Sequence, residues 1–86
     1  MEALKMHNII FGRTLRNLRL QRKLSQEKLA FEAELDRTCI SLLELGYRSP
    51  KLDTLVALSR GLNMSASEFF LAIATGIEST LSKYQK

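Results

Sequence analysis

The chain has 86 residues, of which 45% are hydrophobic and 26% are charged. This composition is typical of one small globular domain, and it argues against intrinsic disorder and against a second hydrophobic core. The sequence has no apolar run of 18 residues that could span a membrane, its first residues lack the pattern of a secretion signal, and its single cysteine, Cys39, cannot form an internal disulfide. We therefore expect an intracellular, cytoplasmic protein.

The net charge of +4 is concentrated in the first half of the chain. Residues 13–51 carry nine Lys/Arg against five Asp/Glu, whereas the charges of residues 1–12 and 52–86 cancel. Clustered positive charge favours a polyanionic partner such as nucleic acid. A solvated basic helix face would give the same count, so charge alone leaves both interpretations open.

Apolar residues recur at helical spacing almost throughout, which predicts an all-α protein. Five helices are predicted over about residues 8–22, 26–33, 37–45, 52–61 and from 66 onwards. Ser25 and Asp36 are suitable N-caps for the second and third helices, and Gly46 can end the third in the left-handed conformation. Ser65 and Glu68 form a capping box for the fifth helix. The positions expected to face the core are Phe11, Leu15, Leu18, Leu29, Ala30, Ala33, Ile40, Leu43, Leu52, Leu55 and Leu58.

The C-terminal segment from Gly76 leaves two alternatives open. Ile77, Leu81 and Tyr84 follow at helical spacings, so this segment is either a short sixth helix or a frayed end.

Residues 26–46 combine a short helix, a three-residue turn and a second short helix within about twenty residues. Ala30 is small enough to let the two helices approach, and Leu35 and Ile40 can fill the space between them. This arrangement is typical of a helix-turn-helix, in which the second helix projects its N-terminal end into the DNA major groove.

The same segment resembles the lambda-repressor-like (Cro/xenobiotic-response-element type) DNA-binding domains. The similarity is carried by Ser25-Gln26-Glu27-x-Leu29-Ala30, by Leu35-Asp36-Arg37-Thr38-x-Ile40-Ser41-x-x-Glu44-x-Gly46, and by Arg48-x-Pro50-x-Leu52-x-x-Leu55. It extends over about residues 10–70. The run from Asp36 to Ser41 looks especially like small controllers of restriction–modification systems. The resemblance implies a five-helix bundle with residues 1–86 as one domain, in which residues 71–86 are a dimerisation extension or a tail.

This chain departs from the family at two turns. Lys23 and Glu34 stand where the family often has glycine. A left-handed conformation at a non-glycine residue costs on the order of 1 kcal/mol.

The resemblance also implies roles for individual residues. Arg37 can donate two hydrogen bonds to a guanine edge, although an ion pair to Glu34 or a phosphate contact is the alternative. The set of expected base contacts is Arg37, Thr38, Ser41 and Leu42. The expected phosphate contacts are Gln26, Arg48, Ser49, Lys51 and Arg16. Arg19 and Glu44 are expected to form a structural salt bridge.

An apolar stripe near the C-terminus exceeds what one small domain can bury. Its members Phe69, Phe70, Ile73 and Ile77 are expected to form a homodimer interface, although a purely intramolecular core is the alternative. A two-fold dimer would place two recognition helices about 34 Å apart and would require a palindromic operator.

We therefore expect a dimeric, sequence-specific regulator that binds double-stranded DNA, either a controller or a repressor and possibly autoregulatory. A helix-turn-helix protein–protein adaptor, or the antitoxin of a toxin–antitoxin pair, is the alternative. An enzyme is not expected, because the sequence has one histidine (His7), one cysteine, no glycine-rich phosphate loop and no cluster with metal-ligand spacing. We expect no metal, cofactor or small-molecule ligand.

Overall fold

The structure, a computed structural model, describes residues 4–83 and folds them into five helices. The helices are α1 (Met6–Gln21), α2 (Gln26–Ala33), α3 (Arg37–Glu44), α4 (Leu52–Gly61) and α5 (Ala66–Ser82). Residues 4–83 contain no β-strand, so the all-α class and the five-helix bundle are confirmed. The predicted bounds of α2 and α4 agree with the structure, and those of α1 and α3 differ by at most two residues.

The helix α5 is continuous through Gly76, so the prediction of a separate sixth helix is wrong. The physical reason is that Gly76 lies where α5 passes close to α1. A Cβ atom at this position would lie 2.9 Å from the Thr14 hydroxyl oxygen. The glycine therefore permits close helix packing rather than ending a helix. Tyr84, which was included in the predicted sixth helix, lies outside the described residues.

The core forms where the five helices meet. Helix α1 packs against α3 and α5, α2 packs against α3 and α4, and α5 also packs against α4. The Phe69 ring is fully buried at the centre and meets the edge of the Phe11 ring at a centroid distance of 6.3 Å. The buried cluster consists of Phe11, Leu15, Leu29, Ala30, Ile40, Leu43, Leu58, Leu62 and Phe69.

One predicted core residue, Leu52, is 66% exposed, so that prediction is wrong. Helix α4 meets α2 through the side that carries Leu58 and Gly61, whose Cα lies against Leu29 and Ala33. At 100° per residue, Leu52 projects from the opposite side of α4. Leu55 lies between these two directions and is half-buried.

The helix N-termini are capped in two different ways. The Ser25 hydroxyl accepts a hydrogen bond from the Lys28 N–H at 3.0 Å, and Ser65 and Glu68 form the predicted capping box. Hydrogen bonds from the backbone N–H and the side chain of Ser65 lower the pKa of Glu68. Asp36 occupies the N-cap position of α3, but its side chain makes no capping hydrogen bond, contrary to prediction.

Four turns use the left-handed conformation. Gly46 has φ +81°, as its place after α3 predicted. Lys23, Glu34 and Asn63 have φ values of 56°, 57° and 58° although they carry side chains. The turns that the family often builds with glycine therefore keep the same backbone geometry here.

In the described part of the chain, no helix is long and apolar enough to cross a membrane. The same residues contain no group of three or more His, Cys, Asp or Glu that could hold a metal ion.

Candidate nucleic-acid interface

Helices α2 and α3 form a helix-turn-helix around a tight turn. Glu34 adopts the left-handed conformation, and the N–H of the next residue, Leu35, donates to the Ala30 carbonyl at 2.9 Å. This geometry reverses the chain within three residues. Ile40 and Leu43 are then fully buried and hold α3 against the rest of the domain.

The opposite side of α3 faces outwards. Arg37 and Thr38 are exposed on its first turn, and Ser41 and Leu42 are half-buried one turn later. No ion pair forms between Arg37 and Glu34, or between Arg37 and any other carboxylate of residues 4–83. The guanidinium is therefore available to a ligand. Cys39 is half-buried against the core and lies between the two faces.

Arg19 on α1 and Glu44 at the end of α3 form a buried ion pair, as the family resemblance implied. Arg19 Nε donates to Glu44 Oε2 at 2.6 Å, and a second guanidinium nitrogen donates to Glu44 Oε1 at 2.9 Å. A third donates to the Leu24 carbonyl at 2.8 Å. The hydrogen bond from Glu44 raises the pKa of Arg19, in opposition to burial, and Coulomb attraction from the same carboxylate adds to this rise. Arg19 is thus committed to the fold.

Glu44 also anchors a residue of the predicted interface. Gln26 Nε2 donates to Glu44 Oε1 at 3.0 Å, an interaction that sequence reasoning did not foresee. A side-chain amide has two N–H donors, so the other one remains for a ligand at the N-terminus of α2. This terminus also attracts anions through its dipole and its unpaired backbone N–H groups.

A shallow depression of about 300 Å³ lies beside this network. It brings together Arg16 and Gln26, both predicted phosphate contacts, and Ser41, a predicted base contact. The residues that line it are Arg16, Arg19, Gln26, Ser41, Glu44 and Leu45. Because Arg19 neutralises Glu44, the accessible charge of this depression is that of Arg16.

The remaining predicted phosphate contacts follow α3. Arg48, Ser49 and Lys51 are exposed in the loop before α4. Asn8 Nδ2 donates to Ser49 Oγ at 2.8 Å and ties this loop to α1. The Ser49 hydroxyl accepts this bond, so it keeps its own hydrogen for donation. Asn8 was not predicted as part of the site, because a lone polar residue at a helix start gives no signal of its contact partner.

Glycine at position 12 allows α1 to approach the end of α3. A Cβ atom there would lie 2.5 Å from the Glu44 carbonyl oxygen and would overlap the Leu43 carbonyl oxygen. This close approach places Arg19 on α1 within reach of Glu44. The contact sets the orientation of the helix that carries Arg37.

The predicted dimer interface is divided by the structure. Phe69 is fully buried within its own domain, so its assignment to an interface is wrong. It lies on the side of α5 that faces α1 and meets Phe11. Phe70, Ile73 and Ile77 instead line an apolar groove of about 270 Å³ that includes Leu55 and Pro50.

Helix α4 extends this apolar surface, which sequence reasoning missed. Leu52 is 66% exposed and Val56 is 45% exposed. Both project from the side of α4 that adjoins the groove-lining Leu55. We call the groove and these two residues the α4–α5 face. The only sequence signal for its α4 half is that the apolar positions of α4 are more numerous than one buried side of the helix requires.

The comparisons with known proteins agree with this geometry. A family model described as helix-turn-helix matches residues 15–69. The chain belongs to this helix-turn-helix family. Within it, the chain is related to restriction–modification controller proteins, as the resemblance of residues 36–41 predicted.

Two relatives show this relationship in sequence. The chain is 41% identical over 61 residues to the control protein C.BamHI from Bacillus amyloliquefaciens, covering 70% of this chain and 75% of the relative. It is 43% identical over 63 residues to the control protein C.MunI from a Mycoplasma species, covering 72% and 85% respectively.

Two solved structures show it in three dimensions. The controller protein C.AhdI from Aeromonas hydrophila gives a TM-score of 0.69 at 38% identity, over 73% of this chain and 96% of that one. The tetramer of the controller protein C.Esp1396I in complex with its natural 35-base-pair operator gives a TM-score of 0.78 at 29% identity, over 85% and 96%.

Proposed function

We propose that the protein is a sequence-specific regulator of transcription, of the restriction–modification controller type, that binds double-stranded DNA. The observation that carries this proposal is the exposed, unpaired Arg37 on the first turn of a helix whose other side is locked into the core. The chain acts as a regulator and not as an enzyme, and it works in the cytoplasm, where its DNA lies.

Helix α3 enters the major groove with its N-terminal end. Arg37 can donate two hydrogen bonds to guanine O6 and N7, and Thr38 lies beside it for a thymine methyl or a base edge. Ser41 and Leu42 are one turn further along and complete the base-reading surface. Their partial burial limits how far they can reach, so Arg37 carries most of the discrimination.

Phosphate contacts on both sides of the groove fix the register of α3. Gln26 and Arg16 are placed for the backbone of one strand, and Arg48, Ser49 and Lys51 for that of the other. Such contacts orient a protein on DNA but carry no sequence information themselves. Their affinity depends on salt, because binding releases counterions from the DNA.

The protein forms a two-fold dimer through the α4–α5 face. Phe70, Ile73 and Ile77, together with Leu52 and Val56, supply a contiguous apolar surface of the kind that marks a protein interface. The C.Esp1396I relative assembles as a tetramer on its operator. By analogy, two dimers of this chain occupy neighbouring sites on one operator.

The test is a mobility-shift titration with the DNA upstream of the gene, in the presence of competitor DNA. Arg37→Ala removes one bidentate base contact, which is worth about 1–3 kcal/mol, so we expect a loss of roughly 5- to 150-fold in specific affinity. Arg60→Ala is the matched control, because Arg60 is also an exposed arginine but lies at the end of α4. Circular dichroism verifies that both variants are folded.

Three results would contradict the proposal in different ways. Equal specific affinity of Arg37→Ala and Arg60→Ala would exclude base reading by α3. Equal, salt-sensitive binding to every fragment would leave a basic surface without specificity. An absence of binding at low salt would favour the adaptor interpretation.

A further inference from the structure

Phe31 on α2 is the most exposed large hydrophobic residue among residues 4–83, with 76% of its surface accessible. Helix α2 buries Leu29, Ala30 and Ala33. At 100° per residue, Phe31 projects roughly 150° away from the centre of that buried side. Neither the core nor the contacts of the predicted DNA interface account for an aromatic ring in this position.

Charged residues of both signs flank the ring. Lys28 Nζ lies 5.5 Å from the Phe31 ring centroid and pairs with Glu32 at 3.2 Å. Glu27 shares the outward side of α2 with Phe31 by helical geometry, and it makes no ion pair within residues 4–83. We call Glu27, Lys28 and Phe31 the α2 patch.

The position of the α2 patch in the domain restricts what can reach it. Helix α2 packs against α3 and α4, whereas the proposed dimer face is built on α4 and α5. The N-terminus of α2 faces the proposed DNA site, and Phe31 lies in the last turn of α2, away from it. In a two-fold dimer that uses the α4–α5 face, the two α2 patches lie at the outer ends, where a neighbouring molecule on the same DNA would meet them.

We infer that the α2 patch is the contact between neighbouring dimers bound to one operator; this inference rests on the proposed function. Two copies of the patch related by a two-fold axis bring one Phe31 ring against the other. The same symmetry places Lys28 of each copy opposite Glu27 of its partner, so the patch is complementary to itself. Such an isologous contact closes after one pair and does not propagate along the DNA.

The contact is small, and this suits a cooperative role. Coupling between bound molecules usually changes affinity by about 5- to 150-fold. The pair of Lys28 with Glu32 is exposed and joins positions i and i+4, so it is worth only a few tenths of a kcal/mol and can exchange for a new partner.

The experiment uses two DNA duplexes defined by footprinting of the full-length protein. One duplex contains the complete protected region, and the other is shortened to a single dimer site. Wild-type protein is expected to fill the complete region in one step. Phe31→Ala is expected to accumulate a complex with one dimer and to bind the second dimer roughly tenfold more weakly. Its affinity for the single site is expected to remain unchanged.

Two further variants identify the occupant. Leu20→Ala removes a half-exposed leucine from α1 and is expected to bind both duplexes like wild type. Lys28→Glu is expected to weaken the second dimer, and the double variant Glu27→Lys/Lys28→Glu is expected to restore it, because the reversed charges again face each other. A partner other than this chain would not be rescued by that exchange.

The inference is overturned if Phe31→Ala fills the complete region like wild type, if the double charge variant fails to restore the second dimer, or if the protected region has the length of one dimer site. Loss of transcription activation with purified RNA polymerase, without loss of the second dimer, would assign the patch to polymerase instead. Failure of wild-type protein to bind even the single site would reject the proposed function itself.

Discussion

The buried pair of Arg19 and Glu44 permits a quantitative test of what holds α1 to α3. In Glu44→Leu, the guanidinium of Arg19 loses two of its three hydrogen bonds while it remains 8% exposed. Breaking a buried ion pair on one side costs about 3–5 kcal/mol, because an uncompensated charge is left in the interior. A domain of this length has a total stability of roughly 4–13 kcal/mol. The single substitution is therefore expected to remove a large fraction of the stability.

A double-mutant cycle by urea unfolding measures this effect. Arg19→Met is expected to cost a similar amount, and Arg19→Met/Glu44→Leu is expected to regain most of the loss, since an apolar pair of similar volume can replace a buried ion pair. Glu32→Leu is the matched control, because Glu32 belongs to the exposed pair with Lys28 and is expected to cost less than about 1 kcal/mol. The reasoning is refuted if Glu44→Leu destabilises the protein no more than Glu32→Leu does.

Four other substitutions test separate parts of the structure. Gly12→Ala is expected to cost about 1–3 kcal/mol in urea unfolding, because its Cβ meets backbone and α1 must move away from α3; a loss no greater than that of Gly76→Ala, which meets a side-chain hydroxyl, would contradict this. Lys51→Ala is expected to weaken binding to all DNA sequences alike and to reduce the slope of log affinity against log salt by about one; an unchanged slope would exclude a phosphate contact. The folded-state pKa of Glu68 is lowered, so its charge stabilises the protein above the unfolded-state pKa of about 4.3, and this contribution is lost as the pH falls through the folded-state pKa. Glu68→Gln should therefore lower the melting temperature near neutral pH and converge with wild type in acid; a constant difference would show that the charge is irrelevant. Val56→Glu is expected to convert a dimer into a monomer in sedimentation velocity, and a retained dimer would move the interface away from the α4–α5 face.

Local signals in the sequence were sufficient for the helices and for the exposed end of α3. Ser25, Ser65 and Gly46 mark helix ends through interactions within a few residues, so they can be identified without knowledge of the fold. The helix-turn-helix follows from the same kind of signal, together with the spacing of Ile40 and Leu43.

Predictions failed where the outcome depends on which helices meet. Phe69 and Phe70 are adjacent apolar residues, and only the packing of α5 on α1 decides that Phe69 enters the core. Leu52 is apolar but projects from α4 on the side opposite α2. Gly76 resembles a helix end, yet its role is set by Thr14 across the interface with α1. The anchoring of Gln26 by Glu44 likewise joins residues 18 positions apart and leaves no trace in local spacing.

The lengths of α2 and α3 have a consequence for how proteins of this kind can diverge. Each has eight residues, fewer than the 12–15 or so that an isolated helix needs to persist in water. Their order is therefore supplied by contacts on their buried sides, with α1 and α4. The outward positions 37 and 38 contribute little to that order. Mutations there can alter the preferred DNA sequence at almost no cost in stability, so a lineage carrying this domain can acquire a new target without first acquiring a compensating change in its core.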